Sequence, residues 1–322
     1  MRTPTSKFLP VLLLTVIFSA CTAISQPVSA PLPPLRVEFT NWWGDYTLLV
    51  AQEKGFFEKY GVQVEPVYYE FFSDTYPDLA AGQLDAGLIA VGDTINISRI
   101  APMKVVAVHD NGGDDAMVAR PEILSIENLR GLTVGTQIGS QYELMITEML
   151  RSANMDIADV KVVSIYPEDG LAALENNQVQ AVYIWEPYLS EALSKGYKVL
   201  YPQEQLHLFP DLIVFQKSVT DQRPDDVRAF LKAWFEAVDY RLQNPEETRA
   251  IAAKYLGVSV EEVQPDDNLK ILTLEDNKAI FRLESENSIY TVTKITSDFL
   301  IAIGTITQMP DPLELLDSRY LP

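Results

Sequence analysis

A chain of 322 residues with 47% hydrophobic and 22% charged residues has enough apolar material for two domains or one large α/β unit, which excludes a largely disordered polymer. A formal net charge of −20, from 45 acidic against 25 basic side chains, sets the surface against nucleic-acid phosphates and anionic lipid, so no nucleic-acid partner is expected. One cysteine and two histidines exclude a disulfide framework and leave no clustered thiol or imidazole set, so no metal, cofactor or catalytic residue is expected.

The chain opens on Arg2 and Lys7 ahead of an apolar run from Phe8 to Phe18, too short to span a bilayer and readable as a secretory signal over residues 1–20. The run ends at Phe18-Ser19-Ala20-Cys21, which resembles a bacterial lipobox with Cys21 as the lipidated residue, although Phe18 stands where leucine is usual. Ordinary cleavage after Val28-Ser29-Ala30 is the alternative and would discard Cys21. Residues 21–35 read as a flexible tether.

Strand-like apolar runs then follow at 36–40, 62–68, 86–91, 105–108, 132–136, 160–165, 181–184 and 212–215, with helical stretches between most of them. That alternation predicts βαβ units and largely parallel sheets. Asp45 stands ahead of a helix that Gly55 stops, Ser140-Gln141-Tyr142-Glu143 reads as a capping box for a helix reaching Ser152, and Pro187 opens a helix that Gly196 closes. Beyond Pro224 the chain turns helical, and Phe230, Trp234 and Val238 form one apolar stripe, the mark of packing.

Two passages carry a family likeness. Ala51-Gln52-Glu53-Lys54-Gly55-Phe56-Phe57 and Gly82-Gln83-Leu84-Asp85-Ala86, with Gly92-Asp93 downstream, resemble the signature of bacterial transport receptors for nitrate, sulfonates, taurine and thiamine-pyrimidine precursors, the NMT1/THI5-like family. Ile184-Trp185-Glu186-Pro187 is similar to the same family's Trp-Glu-Pro element. The resemblance implies a periplasmic-binding-protein-like type II fold, with two α/β lobes, a hinge and a central ligand cleft. On that basis lobe 1 takes residues 36–119 and 211–322 and lobe 2 residues 120–210, with Pro121 and Pro210 stiffening the two crossings.

The candidate binding residues sit where strands give way to helices, the edge at which open α/β sheets hold ligands. Trp42, Trp43 and Tyr46 offer flat faces for a planar or cationic guest, or else pack the core. Ser73 and Asp74 follow the second strand, and Gly92 and Asp93 the third, each as helix caps or as ligand contacts. Ser140, Gln141 and Tyr142 could receive an anion at a helix start, but the capping box competes for the same amides. Trp185 can stack across the cleft from Trp42 or Trp43, while Glu186 holds an amine or serves the helix dipole.

Asp45, Asp74, Asp93 and Glu186 are acidic, and no lysine or arginine shares their loops, which favours an amine-bearing or aminopyrimidine-like solute, with a taurine-like zwitterion or sulfonate next. The expected protein is therefore a monomeric extracytoplasmic receptor, anchored through Cys21, that delivers a small solute to an ABC permease. Two alternatives stand beside it: an enzyme of pyrimidine or menaquinone synthesis on the same fold, for which His109-Asp110 is the one conceivable pair, and a ligand-binding sensor subunit.

Overall fold

In the computed structural model, which describes residues 32–113, 115–202, 209–265, 268–284 and 288–322, the alternation of strands and helices builds two five-stranded sheets. The expected signal, Cys21, the tether as far as residue 31, and His207 lie outside the described residues. The strands are β1 (Leu35–Phe39), β2 (Val64–Tyr68), β3 (Ala86–Ala90), β4 (Met103–Val108), β5 (Ala116–Ala119), β6 (Thr133–Thr136), β7 (Lys161–Ser164), β8 (Ala181–Ile184), β9 (Lys198–Pro202) and β10 (Asp211–Gln216). Four helices follow in the first half: α1 (Tyr46–Glu53), α2 (Phe56–Tyr60), α3 (Thr75–Ala80) and α4 (Val91–Ile97). Then come α5 (Tyr142–Ser152), α6 (Gly170–Glu175), α7 (Tyr188–Ser194), α8 (Lys217–Gln222), α9 (Pro224–Gln243), α10 (Pro245–Leu256), α11 (Leu274–Ile280), α12 (Ile289–Ala302) and α13 (Pro312–Leu315).

The first sheet runs β2-β1-β3-β10-β4 and the second β7-β6-β8-β5-β9, the same plan twice. In each, four strands run the same way, and the strand arriving from the other sheet inserts antiparallel: β10 between β3 and β4, β5 between β8 and β9. The sheets are thus largely parallel in strand direction, each interrupted by one antiparallel strand. Because β5 pairs in the second sheet, the first crossing falls before Ala116, not after Ala119 where the sequence placed it. Both sheets and their helices pack into one unit over Pro34–Pro322, and no helix among the described residues is long and apolar enough to cross a membrane.

Strands β3 and β4 are buried along their whole length, as a sheet covered on both faces requires. On one face α1, α2, α9 and α10 meet through Leu48, Leu49, Phe57, Phe230, Trp234 and Val238; on the other, α4 and α12 meet through Ile95, Ile289 and Leu300. Phe57 stacks on Phe230 with centroids 5.3 Å apart. The family-like turn after α1 is explained by this packing: Gly55 takes φ 70°, where a side chain is strained, and so delivers Phe57 into the core. In the second family-like run, the Asp85 carboxylate accepts from the Arg36 N–H at 2.8 Å, and Leu84 is fully buried. Both motifs therefore build the scaffold.

Candidate functional site

Three spaces lie in a row where the two sheets face each other, and Trp42 flanks all of them. The inner one, about 50 Å³, is walled on one side by Thr40, Leu88, Ala90 and Phe72 and on the other by Gln141, Tyr142 and Trp185. Asp115, Phe209 and Asp211 complete it from the two crossings. A throat of about 20 Å³ between Trp42, Phe72 and Trp185 carries Glu70, Glu168 and Glu186. Beyond it an outer space of about 300 Å³ opens between Trp43, Tyr46, Tyr68 and Glu186 and the segment 256–265. No Lys, Arg or His is among the described residues lining any of the three.

The aromatic loop is held from behind. Arg241 of α9 is buried and donates to the carbonyl oxygens of Gly44 (2.9 Å) and Trp43 (3.0 Å) and to Thr47 Oγ1 (2.6 Å), with its guanidinium 4.9 Å over the Trp43 ring. Burial brings Arg241 down to about 10, so it stays charged at neutral pH and acts as a fixed cationic clamp. Trp42 folds over Gly44 so closely that a Cβ there would stand 2.0 Å from the indole. Trp42 also lies beside the His109 ring, 5.6 Å away, itself 5.2 Å from Trp234.

Under this loop lies a buried acid group. Glu38 accepts from the Leu88 N–H at 2.6 Å, and burial, with the nearby Asp45 adding to it, holds Glu38 far above the usual carboxylate range. Asp45 is raised too, again by burial, and its Oδ2 accepts from the Thr40 N–H (2.7 Å) and Oγ1 (2.8 Å). It occupies the N-cap position of α1 but does not cap it, so the expected capping role is replaced by a brace on the strand end that carries Thr40.

Two contacts close the gap between the sheets. Gln141 Oε1 accepts from the Gly92 N–H at 2.6 Å, and the Tyr142 hydroxyl donates to Asp93 Oδ2 at 2.9 Å. A Cβ on Gly92 would stand 2.7 Å from Gln141, so glycine is what admits this approach. Burial pushes Asp93 up to about 6, with the Tyr142 hydroxyl among the groups pulling it back. Ser73 adds an N–H to Glu168 Oε1 at 3.2 Å.

The sequence-predicted residues divide accordingly. Trp42, Gln141, Tyr142 and Trp185 line the inner space, while Trp43, Tyr46 and Glu186 line the outer one. Trp185 meets Phe72 across the gap, with centroids 6.0 Å apart and the rings nearly perpendicular, so the first-lobe ring it meets is not Trp43. Gly92 and Asp93 latch the lobes behind the wall. Ser140 is turned inward, donating to the Gln137 carbonyl oxygen (2.7 Å) and accepting from the Tyr142 N–H (3.1 Å), while Glu143 accepts from the Gly139 N–H (2.9 Å). These internal bonds take up donors that an anion would need. Asp74 is exposed and lines none of the three spaces. Sequence reasoning missed Thr40, Glu70, Phe72, Asp115, Glu168 and Asp211. Asp115 and Asp211 had a signal: a chain crossing between lobes must pass the gap.

Residues 29–257 match the model of the NMT1-like family. A Brucella abortus protein whose name calls it a binding protein, with no ligand given, is 25% identical over 308 residues, 94% of this chain and 95% of its own. A Bacillus subtilis protein named for binding aliphatic sulfonates is 26% identical over 286 residues, 85% of this chain and 83% of its own. Among solved structures, the periplasmic aliphatic sulphonate binding protein SsuA from Escherichia coli matches with a TM-score of 0.69 at 18% identity, covering 87% of this chain and 91% of that one, a likeness of fold.

Proposed function

The chain belongs to the NMT1-like family, and from that premise we propose that it is an extracytoplasmic solute receptor whose two lobes close around a small molecule bearing amine or ring N–H groups, for delivery to an ABC permease. In this reading it works as a monomer, held at the membrane through a lipid on Cys21, and the crossings between the sheets act as its hinge. Its lobes are residues 36–115 with 211–322, and 116–210. Closure follows from a ligand that binds the shut state better than the open one.

One observation carries the choice of solute: aromatic and acidic side chains line the gap, with no basic side chain among the described lining residues. Acids and ring faces attract N–H donors and cations and repel oxyanions. The relatives named for sulfonates pull toward an anionic head. Here, however, the turn at Gly139–Tyr142 spends its serine hydroxyl and two of its amides internally, so a taurine-like zwitterion ranks second. Fold alone does not separate receptor from enzyme. Against catalysis, His109 and Asp110 are wholly buried and line none of the three spaces.

The test is a thermal-shift panel of aminopyrimidines, taurine, alkanesulfonates and nitrate, alongside mass spectrometry of whatever co-purifies. An aminopyrimidine should raise the midpoint most. Trp185→Ala and Glu186→Ala should each weaken its calorimetric affinity, by roughly ten-fold for the loss of an aromatic face, without lowering the midpoint of the free protein much. A strong shift with nitrate or sulfonate alone would overturn the choice of solute, and unchanged affinity in both variants would remove these residues from the site.

A further inference from the structure

Resting on the receptor reading, we propose that the group held in the inner space is a planar, N–H-rich cation of guanidinium size, gripped by Asp115 and Asp211 between aromatic faces. Size sets the first limit. The inner space of about 50 Å³ holds roughly four water-sized groups, which admits guanidinium, a flat group of one carbon and three nitrogens, and excludes a six-membered ring. The outer space, at about 300 Å³, would leave so small a guest poorly covered.

Shape and charge set the rest. Trp42 and Phe72 from the first lobe, Tyr142 and Trp185 from the second, and Phe209 at a crossing make the walls largely flat and aromatic. Ring faces attract cations, and a planar, weakly hydrated cation stacks on them better than a compact ammonium does. Asp115 and Asp211 are the charged side chains among the described lining residues, with no basic one beside them. A carboxylate accepts at about four lone-pair sites, so the Tyr183 hydroxyl bound at Asp115 leaves capacity for the N–H groups of a guest. The paired N–H groups along a guanidinium edge match a carboxylate fork.

Both acids stand at the ends of sheet strands. Asp115 directly precedes β5, and Asp211 opens β10 in register with Ala90 of β3, another wall residue. Their fields converge on the Tyr142 hydroxyl, which burial holds far above its ordinary value, with Asp93, Tyr183, Asp211 and Asp115 adding to the effect in that order. Two acids facing one space of this size repel each other unless a cation or a shared proton lies between them. The aromatic walls add a second reason for the cation.

Calorimetry on the full chain with guanidinium chloride, urea and an aminopyrimidine, each at millimolar concentration and matched ionic strength, tests this. Urea has the size and shape of guanidinium without its charge. Guanidinium should bind at least about ten-fold tighter than urea, the scale of one hydrogen bond to a charged group, and tighter than the aminopyrimidine, whose ring exceeds the inner space. Asp115→Asn and Asp211→Asn should each weaken guanidinium about ten-fold while changing urea less than about three-fold. Asp74→Asn removes the same charge from an exposed position that lines none of the three spaces, and should leave both affinities unchanged. The comparison of guanidinium with urea on the wild type decides the matter even if a variant fails to fold. Equal affinity for the two, as a proton shared by the acids would give, no binding of guanidinium, or an equal loss in Asp74→Asn would overturn the planar cation. The receptor reading then stands if another amine binds, and the amine-bearing solute falls as well if only nitrate or a sulfonate does.

Discussion

Asp93 is the residue at which binding chemistry and stability meet. Its carboxyl is buried behind the pocket wall and raised to about 6 from 3.8. A raised acid binds its proton more tightly in the folded state, so its stabilising contribution is complete below its unfolded value and is lost as the pH climbs through the folded one. The wild type should therefore lose stability relative to Asp93→Asn between about pH 4 and 6, on the order of 3 kcal/mol, and run parallel to it above that window. Urea midpoints across that range measure the difference, and parallel curves throughout would refute it. The sequence exposed the acidity of this region but assigned it to partly different residues. Asp45 and Asp93 serve the scaffold, while Glu70, Asp115, Glu168 and Asp211 line the spaces. A motif search finds residues near one another in the chain; these are brought together by crossings and by strand ends far apart in it.

At the scale of elements, β5 and β9 escaped the sequence for different reasons. Ala116–Ala119 is four residues long and half alanine, with weak strand propensity, and becomes a strand because β8 and β9 lie on either side of it. Lys198–Pro202 is a sheet edge, half exposed and ending in proline. The eight predicted strands all exist within two residues of the expected bounds; β2 and β7, at the sheet edges with little or nothing buried, were legible from their paired valines or from alternation alone, whereas most of the others carry buried β-branched or aliphatic runs. Helix α9 was legible for the same reason, its stripe of Phe230, Trp234 and Val238 being fully buried. Phe230 touches the rings of Phe57, Phe215 and Trp234. Phe230→Ala should cost about 3–5 kcal/mol by chemical denaturation, and a loss below about 1 kcal/mol would mean that α9 is not what holds α1 and α2 on the sheet.

For the whole molecule, the proposed closed form is held among the described residues by polar ties that include Gln141 to Gly92, Tyr142 to Asp93 and Ser73 to Glu168, each worth about 1 kcal/mol. Removing one should shift the balance toward an open form by several-fold. Gln141→Ala is expected to enlarge the radius of gyration of the ligand-free protein in X-ray scattering, and scattering identical to the wild type would deny the tie any part in closure. The two-sheet plan was readable through the family-like motifs, since alternation alone does not separate two sheets from one long one, whereas these ties were not, since neither Gly92 nor Gln141 signals its partner. The insertion of β10 between β3 and β4 has a last consequence, for the order of assembly. A chain synthesised from its N-terminus presents β3 and β4 long before the strand that joins them, so the sheet that begins first must be completed last. Until residue 216 has arrived, two apolar strand edges stay open to wrong partners. The second sheet, with its five strands lying between Ala116 and Pro202, has no such wait.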